Sequence, residues 1–262
     1  MKPLRNILKN KCNLSGKLAL ITGGGSGIGF GIAESLSEAG AGIIIVGRNQ
    51  EKLEKAIDKL NSTGHKAEYL VFDLSNIKSI ESFYQEKVIA LGSPDILINN
   101  AAINIRGPIQ EISIENWQRV IDVNLTAVFV LSQVWSNDRI KRGLGGKIIN
   151  IASLMTVAVR PTCGPYAVSK GAIGLLTKAF AVELAKYGIT VNAIGPGYIR
   201  TEMNKQLYED PDFNRWVLER APMKRWGEIQ DIGKVSIFLS SDLSDYITGQ
   251  IIYVDGGWLA AL

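Results

Sequence analysis

The sequence predicts an α/β fold in which one parallel sheet carries helices on both faces. Short apolar runs alternate with helical patterns along most of the 262 residues. Runs such as 18–22, 43–46 and 96–99 have the continuous apolar character of strands that are buried on both faces. Because crossovers between parallel strands are right-handed, this alternation predicts a doubly wound sheet.

We expect seven strands, with helices between them and one inserted segment. The predicted strands are residues 18–22, 43–46, 67–72, 96–99, 147–152, 189–194 and 251–254. The predicted helices are residues 28–39, 49–61, 77–91, 117–134 and 166–186. Residues 201–226 interrupt this rhythm, so we expect them to cover a ligand. Within them, residues 204–216 are expected to form either a lid that orders over substrate or a constitutively packed helix pair.

Composition indicates a globular protein with a substantial core, because 46% of the residues are hydrophobic and 21% are charged. Residues 1–14 are expected to form an N-terminal extension, and residues 15–262 a single domain. The net charge of +4 suits anionic ligands, but no basic cluster interleaves with aromatic residues, so we expect no nucleic-acid partner. No apolar run reaches transmembrane length, which predicts no membrane partner.

The cysteines and the single histidine predict no metal site. Cys12 and Cys163 are far apart and lack metal-ligand spacing, so we expect reduced thiols in a cytoplasmic protein. His65 is the only histidine and lies in a polar loop beside Gly64, where we expect it to be solvated. Histidine catalysis is therefore not expected.

A glycine-rich loop joins the first predicted strand to the first predicted helix. It contains Gly23, Gly25, Ser26, Gly27, Ile28 and Gly29. Glycines at this place permit a tight turn and let the backbone approach a pyrophosphate at the helix N-terminus. An ordinary flexible loop is the alternative, but the position between strand and helix favours dinucleotide binding. The spacing is G-x-x-x-G-x-G rather than G-x-G-x-x-G.

The end of the second predicted strand favours NADP(H) over NAD(H). This strand runs into Gly47-Arg48-Asn49, with no acidic residue before Glu51. An acidic residue at this place would bind the ribose hydroxyls of NAD, whereas Arg48 can form a charge-assisted bond with a 2′-phosphate. If Arg48 only stacks on adenine, NAD(H) remains possible.

Tyr166 and Lys170 are four residues apart in a predicted helix, so their side chains lie on one face. A free phenol has a pKa near ~10, and a nearby ammonium lowers it by favouring the phenolate. The pair is therefore suited to proton transfer near neutral pH. Taken alone, such a pair is also common on helix surfaces, so it indicates chemistry only together with a redox partner.

These motifs together resemble the short-chain dehydrogenase/reductase family. The matching features are the glycine loop, Asp73-Leu74, Asn99-Asn100-Ala101-Ala102, Asn124, Ser153, Tyr166-x-x-x-Lys170 and Pro196-Gly197. The resemblance covers residues 17–257, and Ala102 stands where the family usually has glycine. It implies a single Rossmann-type domain with the strand order 3-2-1-4-5-6-7. It also implies a homotetramer, with a homodimer as the alternative.

The resemblance implies roles for the matching residues. In the cofactor site, the glycine loop would hold the pyrophosphate, Asp73 and Leu74 would contact adenine, and Asn100 and Ala101 would line the adenosine ribose. Near the nicotinamide, the implied contacts are Tyr166, Lys170, Pro196, Gly197, Ile199 and Thr201. Tyr166 would be the catalytic acid or base, and Ser153 would orient the reacting oxygen. Lys170 would lower the pKa of Tyr166, and Asn124 would hold a relaying water. Taken singly, Ser153 is better explained as a helix or turn cap and Asn124 as a brace for a buried backbone group, whereas the order and spacing of the whole set favour the catalytic roles.

Two arginines are the candidate substrate ligands besides Ser153 and Tyr166. Arg106 and Arg160 can each bind a carboxylate or phosphate, or be ordinary surface arginines. Residues 127–133, 197–203 and 225–227 resemble gluconate 5-dehydrogenases and related sugar-acid oxidoreductases. This resemblance implies a small-molecule substrate such as gluconate or 5-ketogluconate. A 3-oxoacyl-acyl-carrier-protein reductase and a catalytically silent nucleotide-binding protein are the alternatives.

Overall fold

The chain folds around one parallel sheet whose order is β3-β2-β1-β4-β5-β6-β7, as predicted. The computed structural model describes residues 12–62 and 66–261. The strands are β1 (Leu18–Thr22), β2 (Gly42–Gly47), β3 (Ala67–Val71), β4 (Ile96–Asn99), β5 (Gly146–Ile151), β6 (Ile189–Pro196) and β7 (Ile251–Val254). Each neighbouring pair is parallel. The strand order reverses between β1 and β4, which is where a doubly wound sheet opens a crevice for ligands.

The helices pack on both faces of this sheet. They are α1 (Gly27–Glu38), α2 (Gln50–Asn61), α3 (residues 77–91), α4 (residues 114–141), α5 (Gly164–Leu184), α6 (Lys205–Glu209), α7 (Pro211–Arg220) and α8 (Ile229–Ser240). Two of them contain a turn of π-helix, at Tyr84–Val88 in α3 and Asp122–Thr126 in α4. Within the described residues, no helix is both long enough and apolar enough to cross a membrane.

Alternate residues of the central strands enter two separate layers of the core. Ala19 and Ile21 of β1 pack with α1, α2 and α8 on one face. Leu20 packs on the other face with residues of α3, α4 and α5. Both layers are apolar, which explains why the strands read as continuous apolar runs rather than as alternating ones. The sheet is therefore covered on both faces, as the sequence predicts.

The structure differs from the predicted elements mainly at helix ends and in the last third. The long helix predicted at 117–134 spans residues 114–141, and α8 was not predicted. Residues 204–216 fall in a 3-10 turn, α6 and α7. Residues 1–11 of the predicted extension, and His65, lie outside the described residues. Leu14, the last residue of that extension, is buried in the core beside β1.

Candidate active site

A cleft of about 880 Å³ opens at the carboxyl ends of the strands. It collects residues that follow all seven strands, because parallel strands end at one edge of a sheet. The predicted site residues that line it are Gly23, Ser26, Gly27, Ile28, Arg48, Asp73, Leu74, Asn100, Ala101, Arg106, Ser153, Arg160, Tyr166, Lys170, Pro196, Gly197, Ile199 and Thr201. The other three predicted residues, Gly25, Gly29 and Asn124, lie outside this lining.

The glycine loop is held against the end of β4. The Oγ1 atom of Thr22 accepts the N–H groups of Asn100 (3.0 Å) and Ala101 (3.1 Å). The Asn100 side chain donates to the carbonyl oxygens of Thr22 (3.0 Å) and Gly23 (3.2 Å). The Asn100 amide nitrogen is therefore engaged in fixing the loop, a role that the sequence motif did not reveal.

Three glycines of this loop are required for different steric reasons. Gly23 and Gly27 have left-handed φ angles of 66° and 56°, which side chains disfavour. Gly29 has ordinary helical geometry, but a Cβ atom there would overlap the Gly23 carbonyl and the Asn100 amide. Gly29 thus lets α1 pack closely on the loop and presents the helix N-terminus to the cleft. This backbone fits the pyrophosphate of a dinucleotide.

One end of the cleft carries two ion pairs. An Nη1 atom of Arg48 lies 3.8 Å from the Asp73 carboxylate. Burial alone would raise the pKa of the Asp73 carboxyl, but hydrogen bonds from Ser75 and the Arg48 charge lower it overall. Lys52, which sequence reasoning missed, pairs with Glu202 at 3.0 Å. Arg48 and Lys52 are both more than half exposed, so a phosphate can compete for them.

Tyr166 and Lys170 lie one turn apart in α5, as their spacing predicts. Pro165 is in the first turn of α5, where its missing N–H breaks no helical bond. The Nζ atom of Lys170 donates to the Ile151 carbonyl at the end of β5 and lies 5.6 Å from the centroid of the Tyr166 ring. The helix and the central strand thereby fix the pair at the floor of the cleft.

The expected lowering of the Tyr166 pKa is wrong, because the phenol is buried. Burial raises the pKa of the phenol, and the hydrogen bond with Ser153 only partly offsets this effect. Burial also lowers the pKa of Lys170 to about 8. The Lys170 ammonium faces the Tyr166 ring and the Ile151 carbonyl. Burial therefore favours the neutral form of both groups, the phenol of Tyr166 and the amine of Lys170.

Ser153 both caps a turn and faces the cleft. Its Oγ atom accepts the N–H of Met155 (3.1 Å), and its own N–H donates to Thr156 Oγ1 (3.3 Å). These bonds close a capping box around the 3-10 turn Leu154–Thr156. The cap orients the hydroxyl, which remains able to bond to the Tyr166 oxygen. The cap and the active-site position are therefore compatible.

Asn124 lies in the π-helical turn of α4 and braces the loop after β4. Its Nδ2 atom donates to the Ile103 carbonyl (2.9 Å) and to Ser169 Oγ (3.1 Å). Its Oδ1 atom accepts the Ile103 N–H (2.8 Å). Ser169 in turn donates to the Tyr166 carbonyl (2.7 Å). Asn124 therefore connects the loop that carries Ala101 to the helix that carries Tyr166.

The other end of the cleft is lined by arginines and by Tyr198, Trp216 and Trp258. These three rings pack with Phe213 and Trp226 in an aromatic cluster, defined here as Tyr198, Phe213, Trp216, Trp226 and Trp258. Tyr198 and Trp258 have ring centroids 4.8 Å apart, and Trp216 lies 5.0 Å from Trp258. Arg160 stacks 4.5 Å over the Phe213 ring. Burial raises the pKa of Tyr198, while the charges of Arg160 and Arg106 act against this rise. Sequence reasoning missed Tyr198 and Trp258 as cleft residues.

The fold and this cleft define an oxidoreductase of the short-chain dehydrogenase/reductase family, to which the chain belongs. The pattern of the family described as enoyl-(acyl carrier protein) reductase matches residues 23–259. Over 250 residues the chain is 42% identical to a 5-keto-D-gluconate 5-reductase of Escherichia coli, covering 95% of this chain and 98% of that protein. It is 42% identical to a 2-dehydro-3-deoxy-D-gluconate 5-dehydrogenase of Dickeya dadantii, covering 97% and 100%.

A solved structure extends the comparison to bound molecules. The chain is 40% identical to a gluconate 5-dehydrogenase from Burkholderia cenocepacia in complex with NADP and tartrate. The two superpose with a TM-score of 0.92, covering 97% of this chain and 100% of that one. The chain is thus an NAD(P)-dependent oxidoreductase.

Proposed function

We propose that the protein reduces a keto sugar acid, such as 5-ketogluconate, with NADPH, and catalyses the reverse oxidation of gluconate. The observation that carries this proposal is the meeting of Ser153, Tyr166 and Lys170 in one cleft with Arg106 and Arg160, which have no carboxylate partner within 4 Å among the described residues. The names of the two relatives described above refer to sugar acids, which supports the same substrate class.

The proposed chemistry assigns one task to each side chain. NADPH, when bound, supplies the hydride that reaches the carbonyl carbon. Tyr166 gives its phenolic proton to the carbonyl oxygen, and Ser153 hydrogen-bonds the same oxygen as negative charge develops there. Lys170 stabilises the phenolate that remains. Asn124 positions the helix through Ser169, in addition to the water-binding role that the family resemblance implies.

NADP(H) is the proposed cofactor, with NAD(H) as the weaker one. Arg48 and Lys52 stand at the end of β2 and the start of α2, where the 2′-phosphate would lie. Their carboxylate partners, Asp73 and Glu202, are themselves exposed, at 45% and 71% of the side chain. Exchange of such a weak surface pair for a phosphate contact costs little, so the dianionic 2′-phosphate is favoured.

The assembly and the compartment are also part of the proposal. Val168, Leu175 and Val182 are spaced seven apart on α5 and are 49%, 70% and 81% exposed. They form one apolar stripe, which supports association into a homotetramer or homodimer. Cys12 and Cys163 are free thiols, which suits the reducing cytoplasm.

A substrate panel followed by NADPH absorbance tests the proposal. The panel pairs 5-ketogluconate, acetoacetyl thioesters and uncharged ketones with NADPH and with NADH, and it pairs gluconate and 2-dehydro-3-deoxygluconate with NADP⁺ and with NAD⁺. We expect the largest kcat/KM with a keto sugar acid and NADPH. Preference for the thioester would favour the carrier-protein reductase instead. Tight NADPH binding without turnover of any compound would indicate a silent nucleotide-binding protein.

A further inference from the structure

The charges lining the cleft do not cancel. The acidic lining residues are Asp73 and Glu202, and each is paired with a basic residue at the cofactor end. The remaining basic lining residues are Arg106, Arg160, Lys170 and Arg220. Positive charge without a facing carboxylate raises the local concentration of anions. The end of the cleft that holds Arg106, Arg160 and the aromatic cluster, called the substrate end below, is therefore suited to an acidic group. One further arginine at this end has no role in the proposed function.

That arginine is Arg220, the last residue of α7. It lines the cleft, and its guanidinium carbon lies 5.6 Å from the centroid of the Trp258 ring. Besides this ring contact, the Arg220 side chain has no carboxylate within 4 Å and no hydrogen-bond partner among the described residues. Stacking on an aromatic face holds a guanidinium in place while leaving its edge N–H groups free. Those groups suit a carboxylate oxygen pair.

Arg215 on the same helix shows what an ordinary surface arginine of this segment does. Its Nη1 atom lies 3.4 Å from an Asp212 carboxylate oxygen, and its side chain is 66% exposed. It does not line the cleft. The two arginines therefore share a helix and a charge, but only one faces the substrate end, which makes Arg215 a matched control.

The aromatic cluster connects Arg220 to Arg160. Arg160 stacks on Phe213, whose ring centroid is 5.3 Å from that of Trp216, and Trp216 contacts Trp258. The two guanidinium groups are thus attached to the same run of rings, one from the loop before α5 and one from α7. Both arginines also line the same cleft.

We propose that Arg220 is a specificity-determining residue that binds the substrate carboxylate from α7, opposite the contact made by Arg160. This inference rests on the proposed function and extends it, because it assigns part of the recognition of the substrate carboxylate to a residue of α7. A bound acid then holds α7 against the cleft, whereas an uncharged analogue of the same carbon skeleton does not.

The test compares Arg220→Gln, Arg220→Lys and Arg215→Gln with the wild type in the oxidation direction, using gluconate and the uncharged gluconamide with NADP⁺. In Arg220→Gln we expect kcat/KM for gluconate to fall by about 10-fold or more, mainly through KM. The value for gluconamide should change less than about twofold, and Arg220→Lys should recover part of the loss. Arg215→Gln should match the wild type with both substrates.

Thermal unfolding and NADP⁺ binding of each variant verify that the fold and the cofactor site are intact. A wild-type preference for gluconate that survives in Arg220→Gln would overturn the inference and leave the proposed function standing. Equal losses with gluconate and gluconamide would also overturn it, because a structural role predicts that result. A wild type that does not prefer gluconate over gluconamide would instead overturn the sugar-acid proposal itself, and the inference with it.

Discussion

Lys170 is a buried residue whose charge opposes folding and whose position beside Tyr166 suits it to proton transfer. Its side chain is 3% exposed, and burial lowers its pKa to about 8 from an ordinary 10.5. Tyr166 beside it has a raised pKa for the same reason. The sequence predicted their adjacency correctly, because helical spacing is local. The effect of burial on both pKa values depends on the surrounding chain and was not predictable from the spacing.

Replacing Lys170 with methionine should change the pH dependence of stability. Below about pH 8 the folded protein must bury an ammonium that the unfolded chain keeps in water, so this charge opposes folding. As the pH rises towards 10.5, the unfolded chain also loses its proton and the penalty disappears. The free energy of unfolding of Lys170→Met, relative to wild type, should therefore be higher at pH 7 than at pH 10 by about 2 kcal/mol.

Denaturant unfolding of both ligand-free proteins at the two pH values measures this difference. The bond to the Ile151 carbonyl is made by an ammonium at pH 7 and by a neutral amine at pH 10, and the linkage relation already includes this difference through the folded-state pKa of Lys170. A difference between the two proteins that is independent of pH would contradict a depressed pKa for Lys170.

At the scale of elements, the glycine loop, its helix and the end of β4 behave as one unit. The strands were predicted to within about two residues because their apolar runs are uninterrupted. Helix α8 was missed, since the irregular segment at 201–226 obscured the return of the α/β rhythm. The role of Asn100 in bracing the loop was also missed, because a contact between residues 22 and 100 leaves no trace in local spacing.

A methyl group at Gly29 should break this unit. In Gly29→Ala the new Cβ atom overlaps the Gly23 carbonyl, so α1 must move away from the loop. We expect a loss of unfolding free energy of about 1–3 kcal/mol and weaker NADPH binding. In the control Gly25→Ala, the new Cβ atom approaches the Leu53 side chain at 3.3 Å, which can shift. Equal stability losses in the two variants, measured by denaturant unfolding, would argue against the packing role of Gly29.

At the scale of the whole molecule, the sheet order and both core layers followed from the sequence pattern and the family resemblance. The substrate end did not, because it is assembled from the loop after β4, the loop before α5, α7 and the C-terminal turn. Arg106, Arg160, Arg220 and Trp258 are spread over more than 150 residues. Only the tertiary structure brings these four residues to one cleft. The sequence analysis therefore identified Arg106 and Arg160 as candidate substrate ligands, but not Arg220 or Trp258.

The apolar stripe on α5 gives a prediction about assembly. Val182→Asp places a charge on the most exposed member of the stripe, and burial of an unpaired carboxylate in an interface is costly. We expect the variant to have a lower molar mass than wild type in sedimentation or light scattering. Val71→Asp alters another exposed valine, on β3, and should keep the wild-type mass. An unchanged mass for Val182→Asp would place any interface elsewhere.

The central claim is that Tyr166 donates a proton to a sugar-acid carbonyl, and the reduction of 5-ketogluconate by Tyr166→Phe tests it most directly. The substitution removes only the phenolic hydroxyl. The account predicts that kcat/KM falls by about 10²- to 10⁴-fold, while the Kd for NADPH stays within about twofold of the wild-type value. A variant that retains at least half of the wild-type kcat/KM would contradict the mechanism.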